Sequence, residues 1–170
     1  TAISFNNLAL LYSEIGRYQE AEELFLLSNQ IRQNQLGESH LDYAITLNNL
    51  ALLYTKIGRY KEAEKLFLVS GKTFKNKIGP NTLDYATSLH NLALTYKELG
   101  QYDQAEKLFF TFNKTIKNAL GENHPYYAIS LYSIAEIYEK TGKQKEANSF
   151  FQQALNKYLD QINVYFFSMS

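Results

Sequence analysis

The chain lacks cysteine and tryptophan, has only two prolines, and carries no excess of either charge. Without cysteine, its 170 residues hold no disulfide, thiolate zinc site or cysteine nucleophile, which fits a reducing compartment, and we expect the cytoplasm. Because 17 basic residues balance 17 acidic ones, no cationic surplus attracts a nucleic acid or an anionic membrane. No apolar run approaches the roughly 20 residues that cross a bilayer.

Catalytic and cofactor motifs are also absent. The sequence contains no G-x-S-x-G nucleophile motif, no G-x-x-x-x-G-K-[ST] phosphate loop and no G-x-G-x-x-G dinucleotide motif. Its three histidines, His40, His90 and His124, have no cysteine or clustered carboxylate to complete a metal site. We therefore predict a protein that is not an enzyme and binds neither cofactor nor metal.

Glycine is scarce, but seven of the eight glycines follow one period of 42 residues. They form two series, Gly16, Gly58, Gly100 and Gly142, and Gly37, Gly79 and Gly121. A fixed period of this length is typical of a solenoid, in which each unit buries its apolar face against its neighbours. The predicted array covers residues 1–162 in four units, approximately 1–36, 37–78, 79–120 and 121–162. An aromatic cap or the start of a linker is expected at 163–170.

Apolar residues in each unit follow two helical stripes. In the second unit, a helix A from Asp42 to Ile57 has its stripe at Leu47, Leu50, Ala51 and Tyr54. A longer stripe predicts a helix B from Tyr60 to Ile78, and Gly58 suits the left-handed backbone that ends a helix. The connection is short, so the two helices are antiparallel and the fold class is all-α. In the linkers, Pro125 suits the first turn of a helix A.

The runs NNLALLYTKIGRYKEAEKLF (48–67) and HNLALTYKELGQYDQAEKLF (90–109) resemble tetratricopeptide repeats (TPR). The 42-residue step and the linker from Leu120 to Ala128 are similar to the long variant found in kinesin light chains and many bacterial repeat proteins. The resemblance implies a right-handed superhelical solenoid of four antiparallel helix pairs, with helix A lining the concave face. It also implies binding of peptides or protein segments, with no catalytic residues.

The same resemblance implies which residues of helix A line the concave face, namely those five, six, nine, twelve and thirteen positions into each unit. The candidate peptide-binding residues are Asn7, Asn48, Asn49, Leu52, His90, Asn91, Leu94, Tyr132, Ser133 and Glu136. Chaperone-binding members of the family use basic residues to grip a terminal carboxylate. Here positions five and nine hold no lysine or arginine, so we expect no binding of the acidic tails of heat-shock chaperones. RNA-reading helical repeats need a basic groove, which this sequence lacks.

Asparagine at position six is the strongest candidate for partner contact. An amide both donates and accepts, so Asn7, Asn49 and Asn91 can pair with successive peptide groups of an extended partner. The alternative is that asparagines at positions five and six bridge neighbouring repeats. The expected groove has an apolar floor formed by Leu10, Leu52 and Leu94. Its fourth repeat is acidic because of Glu136 and Glu139.

The two ends of the sequence add further expectations. Thr1 aligns with Tyr43 of the second unit, so the loop that precedes each later unit is missing before it. We therefore expect a piece of a longer protein, cut just inside the first helix A. We also expect that this helix can pack end to end with a second chain. The run from Asn148 to Phe151 and the aromatic residues after Ile162 resemble the exit from repeat arrays of bacterial TPR-CHAT proteins, where a caspase-like protease domain follows.

Taken together, these features predict a non-catalytic scaffold that holds a segment of another protein, or of its own parent chain, in the concave groove. The alternative function is the sensor or regulatory array of a larger TPR-CHAT protease whose catalytic domain lies outside these residues.

Overall fold

A computed structural model describes residues 1–167, and the side chains of residues 1–162. This part of the chain forms eight α-helices and no strand. The helices are α1 (Ala2–Glu14), α2 (Tyr18–Leu36), α3 (Leu41–Lys56), α4 (Tyr60–Ile78), α5 (Leu83–Glu98), α6 (Tyr102–Leu120), α7 (Pro125–Lys140) and α8 (Gln144–Phe167). The all-α class is confirmed, and the helix pair predicted for the second unit agrees with α3 and α4 to within one residue at each boundary.

The described helices form two compact units of two repeats each, with the division at Pro80. From here on, a repeat is one 42-residue helix pair, and a unit is one of these two halves. In the first unit α2 packs against both α1 and α3, and α3 packs against α4. In the second, α6 packs against α5 and α7, and α7 packs against α8. Each unit therefore contains two consecutive helix pairs, with the second helix of the first pair lying against the first helix of the next.

Local signals start and end the helices where the sequence indicated. His40 and His124 precede α3 and α7, and the Nδ1 atom of each accepts a hydrogen bond from the backbone N–H two residues later. Pro125 occupies the first turn of α7. Gly58 has a φ of 79°, in the left-handed region that favours glycine, and it joins α3 to α4.

Small and aromatic residues are both buried in the cores of the two units. The repeated alanines of both helices are fully buried, and these are Ala9, Ala21, Ala51, Ala63, Ala93, Ala105, Ala135 and Ala147. Phe25 and Phe67 are also buried in the first unit, and Phe109 and Phe112 in the second. The first helix of each pair, α1, α3, α5 or α7, carries the candidate peptide-binding residues.

The last helix, α8, continues through residues 163–167, where an aromatic cap or linker was expected. The side chains of that segment lie outside the described residues. Each helix within residues 1–167 is too short or too polar to span a bilayer.

Candidate functional site

In the first unit, α1 and α3 lie side by side and are joined through asparagine amides. The Nδ2 group of Asn49 donates to Oδ1 of Asn6 at 3.1 Å, and Asn6 Nδ2 donates to Oδ1 of Asn7 at 3.3 Å. Asn6 is buried, Asn49 is half-buried and Asn7 is exposed. The contacts thus include the inter-repeat bridge that was the alternative interpretation of these asparagines.

The remaining first-unit candidates lie around this bridge. Leu52, like Leu10 on α1, is exposed on the same surface as the asparagines, at the corresponding position of its helix. Asn48 is half-buried, and its Oδ1 atom is enclosed without a hydrogen-bond partner among the described residues. Lys56 ties the far end of α3 to α1, because its ammonium group lies 2.9 Å from the Glu14 carboxylate. The surface thus combines amides, exposed leucines and one ion pair.

In the second unit, His90 on α5 occupies the position of Asn6 and Asn48. Its Nε2 atom lies 3.3 Å from the Ser133 hydroxyl of α7, and its ring centroid lies 4.8 Å from that of Phe112 and 5.8 Å from that of Phe109. Burial against these rings lowers the pKa of His90 to about 4, and the nearby Lys97 ammonium acts in the same direction. His90 is therefore neutral at pH 7 and half-buried by its aromatic neighbours.

The other second-unit candidates differ in accessibility. Asn91 and Ser133 are buried, and the Ser133 hydroxyl donates to the carbonyl of Ile129 at 3.0 Å. Leu94 is half-buried. Tyr132 is exposed, with its ring edge-on to Phe151 at 5.5 Å between centroids. Tyr132 and Leu94 are therefore the apolar candidates with accessible surface, whereas Asn91 and Ser133 lie beneath the surface.

The acidic character expected for the fourth repeat is reduced by pairing. The Glu136 carboxylate lies 3.3 Å from the ammonium group of Lys97, which comes from the preceding repeat. Both side chains are largely covered. Glu139 remains exposed on the same helix. A basic partner group would therefore meet Glu139 more readily than Glu136.

A common spacing underlies the polar contacts of both units. Asn49 and Asn6 are 43 residues apart, as are Ser133 and His90, so position six of one repeat contacts position five of the repeat before it. Such bridges were expected only as an alternative and only between asparagines, and the pair of Ser133 and His90 was not expected. The signal that could have found them is a polar pair separated by one period plus one residue, on helices that lie side by side.

Hydrogen bonding and apolar contact are the chemistry this surface offers. Within the described part of the chain, no group of three or more histidine, cysteine, aspartate or glutamate side chains could hold a metal ion.

Solved repeat structures resemble this fold closely. BtubC (BKLC) from P. vanneervenii superposes with a TM-score of 0.87 at 21% identity, over 94% of this chain and 63% of that one. This chain therefore spans less than two thirds of BtubC. A putative kinesin light chain of Podosopora anserina with nearly identical TPR-like repeats gives a TM-score of 0.80 at 24% identity, over 94% and 75% of the two chains. A single-substitution variant of that protein gives 0.84 at 24% identity, over 95% and 76%.

Sequence comparison gives the family. A search of curated proteins finds no match. A family model described as tetratricopeptide repeat matches residues 1–70 and 114–160, and a second model with the same description matches residues 86–109. The matched segments cover most of the chain and include parts of both compact units, in agreement with the helix-pair geometry. The chain belongs to the tetratricopeptide-repeat family.

Proposed function

We propose that this protein is a non-catalytic scaffold that binds an extended segment of another protein, or of its own parent chain, along the first helices of its repeats. In the first unit the proposed surface is formed by α1 and α3, and in the second by α5 and α7. Family membership supports the proposal, because the tetratricopeptide-repeat fold suggests a protein-interaction scaffold and is typically non-catalytic.

The observation that carries the proposal is that exposed apolar side chains and amide side chains lie next to each other on two adjacent helices. Leu10 and Leu52 are large apolar residues left open on one surface of the first unit, beside Asn7 and Asn49. Exposed apolar groups rimmed by polar ones are typical of binding surfaces. An extended segment would cover the leucines and pair its peptide groups with the amides.

The three asparagines proposed to pair with a partner's peptide groups, Asn7, Asn49 and Asn91, differ in exposure. Asn7 is exposed, and its Oδ1 atom also accepts a hydrogen bond from Asn6. Asn49 is half-buried and uses its Nδ2 group within the chain. Asn91 is buried, so its role in the proposal is to shape the surface beside Leu94 and Tyr132. We therefore assign the main polar contact to Asn7 and the main apolar contacts to Leu10 and Leu52.

The proposal is tested by selecting peptides from a phage-displayed library of unstructured sequences on the immobilised chain and measuring their affinities for designed variants. The double variant Leu10→Glu/Leu52→Glu places two carboxylates on the proposed surface. We expect the selected peptides to bind this variant at least about tenfold more weakly, a loss of about 1.4 kcal/mol. Asn7→Ala should also weaken binding while the chain stays folded, which circular dichroism verifies.

A matched control uses Leu26→Glu/Leu68→Glu. These leucines are also exposed and also stand at equivalent positions of two repeats, but they lie on α2 and α4. The control should bind the peptides as the unmodified chain does. Equal loss in both double variants, or full binding by the Leu10/Leu52 variant, would place the peptide site elsewhere. The alternative role as the regulatory array of a caspase-like protease stays a prediction from the sequence.

A further inference from the structure

A basic sequence pattern recurs on two helices, α4 and α6, each the second helix of its repeat. Residues 65–76 of α4 read KLFLVSGKTFKN, and residues 107–118 of α6 read KLFFTFNKTIKN. Lysine occupies the first, eighth and eleventh positions of both, as Lys65, Lys72, Lys75, Lys107, Lys114 and Lys117. The second helices of the other two repeats hold no lysine at these positions, where they have Glu23, Gln30, Gln33, Ser149, Asn156 and Leu159.

The three lysines of α4 lie on one exposed side of the helix. An α-helix turns by about 100° per residue, so Lys65, Lys72 and Lys75 lie within about 80° of one another. All three are exposed. Between the first two lysines in the sequence, Leu68 and Val69 are 49% and 46% exposed. Exposed apolar side chains rimmed by charged ones are typical of an interaction surface.

Most of these ammonium groups have no acidic partner within the chain. Lys117 is paired with Glu122. The other five have no carboxylate oxygen within 4.0 Å among the described side chains, and these are Lys65, Lys72, Lys75, Lys107 and Lys114. Their charges are therefore available to an anionic partner.

On α6, a phenylalanine ring takes the place of Leu68 and is held by two other rings. Phe110 is 38% exposed. Its ring centroid lies 6.0 Å from that of Phe150, edge-on, and 6.2 Å from that of Tyr138. The rings of Tyr138 and Phe150 are themselves 5.6 Å apart. A side chain already held by packing loses little freedom when a partner covers it, so Phe110 is a preformed apolar contact among the lysines.

We define two basic stripes by these exposed residues. The α4 stripe is Lys65, Leu68, Lys72 and Lys75, and the α6 stripe is Lys107, Phe110, Lys114 and Lys117. We infer that each basic stripe docks an acidic amphipathic helix of a partner protein. The carboxylates of that helix would follow the same intervals as the lysines, and its apolar residue would cover Leu68 or Phe110.

The spacing of the lysines is the reason for a helical partner. Seven and three residues along a helix correspond to about 10.5 and 4.5 Å, and a second helix repeats these intervals. In an extended strand, side chains of one face recur about every 6.6 Å, which matches neither interval. The stripes lie on the second helices, whereas Leu10 and Leu52 lie on first helices, so the inference goes beyond the proposed function.

A protein helix also suits the α4 stripe better than an anionic membrane or a nucleic acid. In the same unit, α2 has an exposed carboxylate, that of Glu23, at the position of Lys65. The basic surface is therefore one helix wide, whereas a bilayer or a duplex extends over several helices and meets the acidic residues too. The chain as a whole carries no net charge to attract either.

A phage-displayed library of helical peptides, selected on the immobilised chain, tests the inference. We expect the enriched peptides to carry acidic residues seven and three positions apart, in either order, with an apolar residue inside the longer interval. Fluorescence anisotropy should show binding at least about tenfold weaker to Lys72→Glu/Lys114→Glu. Added salt should weaken binding to the unmodified chain, because the charges are exposed.

The matched control is Lys77→Glu/Lys140→Glu. These lysines are exposed, one in each unit, and lie outside the stripes, Lys77 on α4 itself. The control makes the same change in net charge, so it should bind the peptides as the unmodified chain does. The groove variant Leu10→Glu/Leu52→Glu should also bind them normally, and circular dichroism verifies that each variant is folded.

Other outcomes would overturn the inference. Enriched peptides without acidic residues at these intervals would mean that the stripes do not select an acidic helix. Equal losses in the stripe and control variants would reduce the effect to net charge. Loss in the groove variant alone would move the peptides to the first helices. If no acidic peptide is enriched and the chain sediments with phosphatidylserine vesicles, but Lys72→Glu/Lys114→Glu does not, the occupant would be an anionic membrane instead.

Discussion

His90 rests with its imidazole against the rings of Phe109 and Phe112, and this packing determines its charge. Burial and the Lys97 ammonium hold its pKa at about 4, below the usual 6.5. Phe112 stands where the first two repeats have Ser28 and Ser70, so the large ring and the histidine occupy the same region together. At pH 7 His90 is therefore an uncharged packing residue.

The lowered pKa of His90 predicts a loss of stability in mild acid. Between pH 6.5 and about 4 the unfolded chain binds a proton at this residue while the folded chain does not, so the free energy of unfolding falls as the pH falls. The full contribution is on the order of 3 kcal/mol. In urea denaturation at a series of pH values, the free energy of unfolding should fall less steeply with pH for His90→Asn. This variant installs asparagine, the residue present as Asn6 and Asn48 in the first two repeats.

The control for this prediction is the range above about pH 8, where His90 is uncharged in both the folded and the unfolded chain. There the difference in free energy of unfolding between His90→Asn and the unmodified chain should not change with pH. An unchanged slope in His90→Asn would mean that the imidazole is not buried as described.

At the scale of helices, adjacent repeats are joined by a contact that recurs in both units. The turn after α3 carries Arg59, which stacks on Tyr54 and reaches back to Glu22 on α2. The turn after α7 carries Lys143, which lies 4.8 Å from the centre of the Tyr138 ring and reaches back to Glu106 on α6. The turn between the two helices of one repeat is thereby anchored to the second helix of the repeat before it.

Removal of the Glu22 charge should loosen this anchor. Glu22→Gln weakens the hydrogen bond from Tyr54 and the ion pair with Arg59, and we expect the free energy of unfolding to fall by about 1 kcal/mol. The effect is modest because Arg59 is partly exposed to solvent. The adjacent Glu23 is exposed, and Glu23→Gln makes the same charge change without touching Tyr54 or Arg59. Similar losses in the two variants, measured by urea denaturation, would show that the anchor contributes nothing specific.

At the scale of the whole molecule, local signals predicted the helices and their caps, because glycine spacing, apolar stripes and Pro125 act within one repeat. The packing of His90 was not predicted, since it depends on the replacement of a small residue by Phe112 on the neighbouring helix. The bridge from Asn49 to Asn6 was considered only as an alternative, because a single asparagine fits both a partner contact and an inter-repeat contact.

The sequence NNLALLY, which occurs at residues 6–12 and again at 48–54, shows why such an ambiguity arises. A sequence pattern identifies the apolar side of each helix, but the burial of that side depends on which helix packs there. Leu11 and Leu53 have the same local sequence, yet Leu53 is buried on α3, which packs against α2 and α4, whereas Leu11 is exposed on α1. The neighbour, rather than the residue, decides the energetic role of each leucine.

This difference predicts unequal effects of one substitution at two equivalent positions. Leu53→Ala should lower the free energy of unfolding by about 2–5 kcal/mol, because it removes a fully buried side chain and leaves a cavity. Leu11→Ala should cost less than about 1 kcal/mol, because its side chain is exposed and helix propensity is retained. Urea denaturation of both variants at several protein concentrations makes the comparison. Comparable losses that appear only at high concentration would show that Leu11 is covered by another copy of the chain in solution.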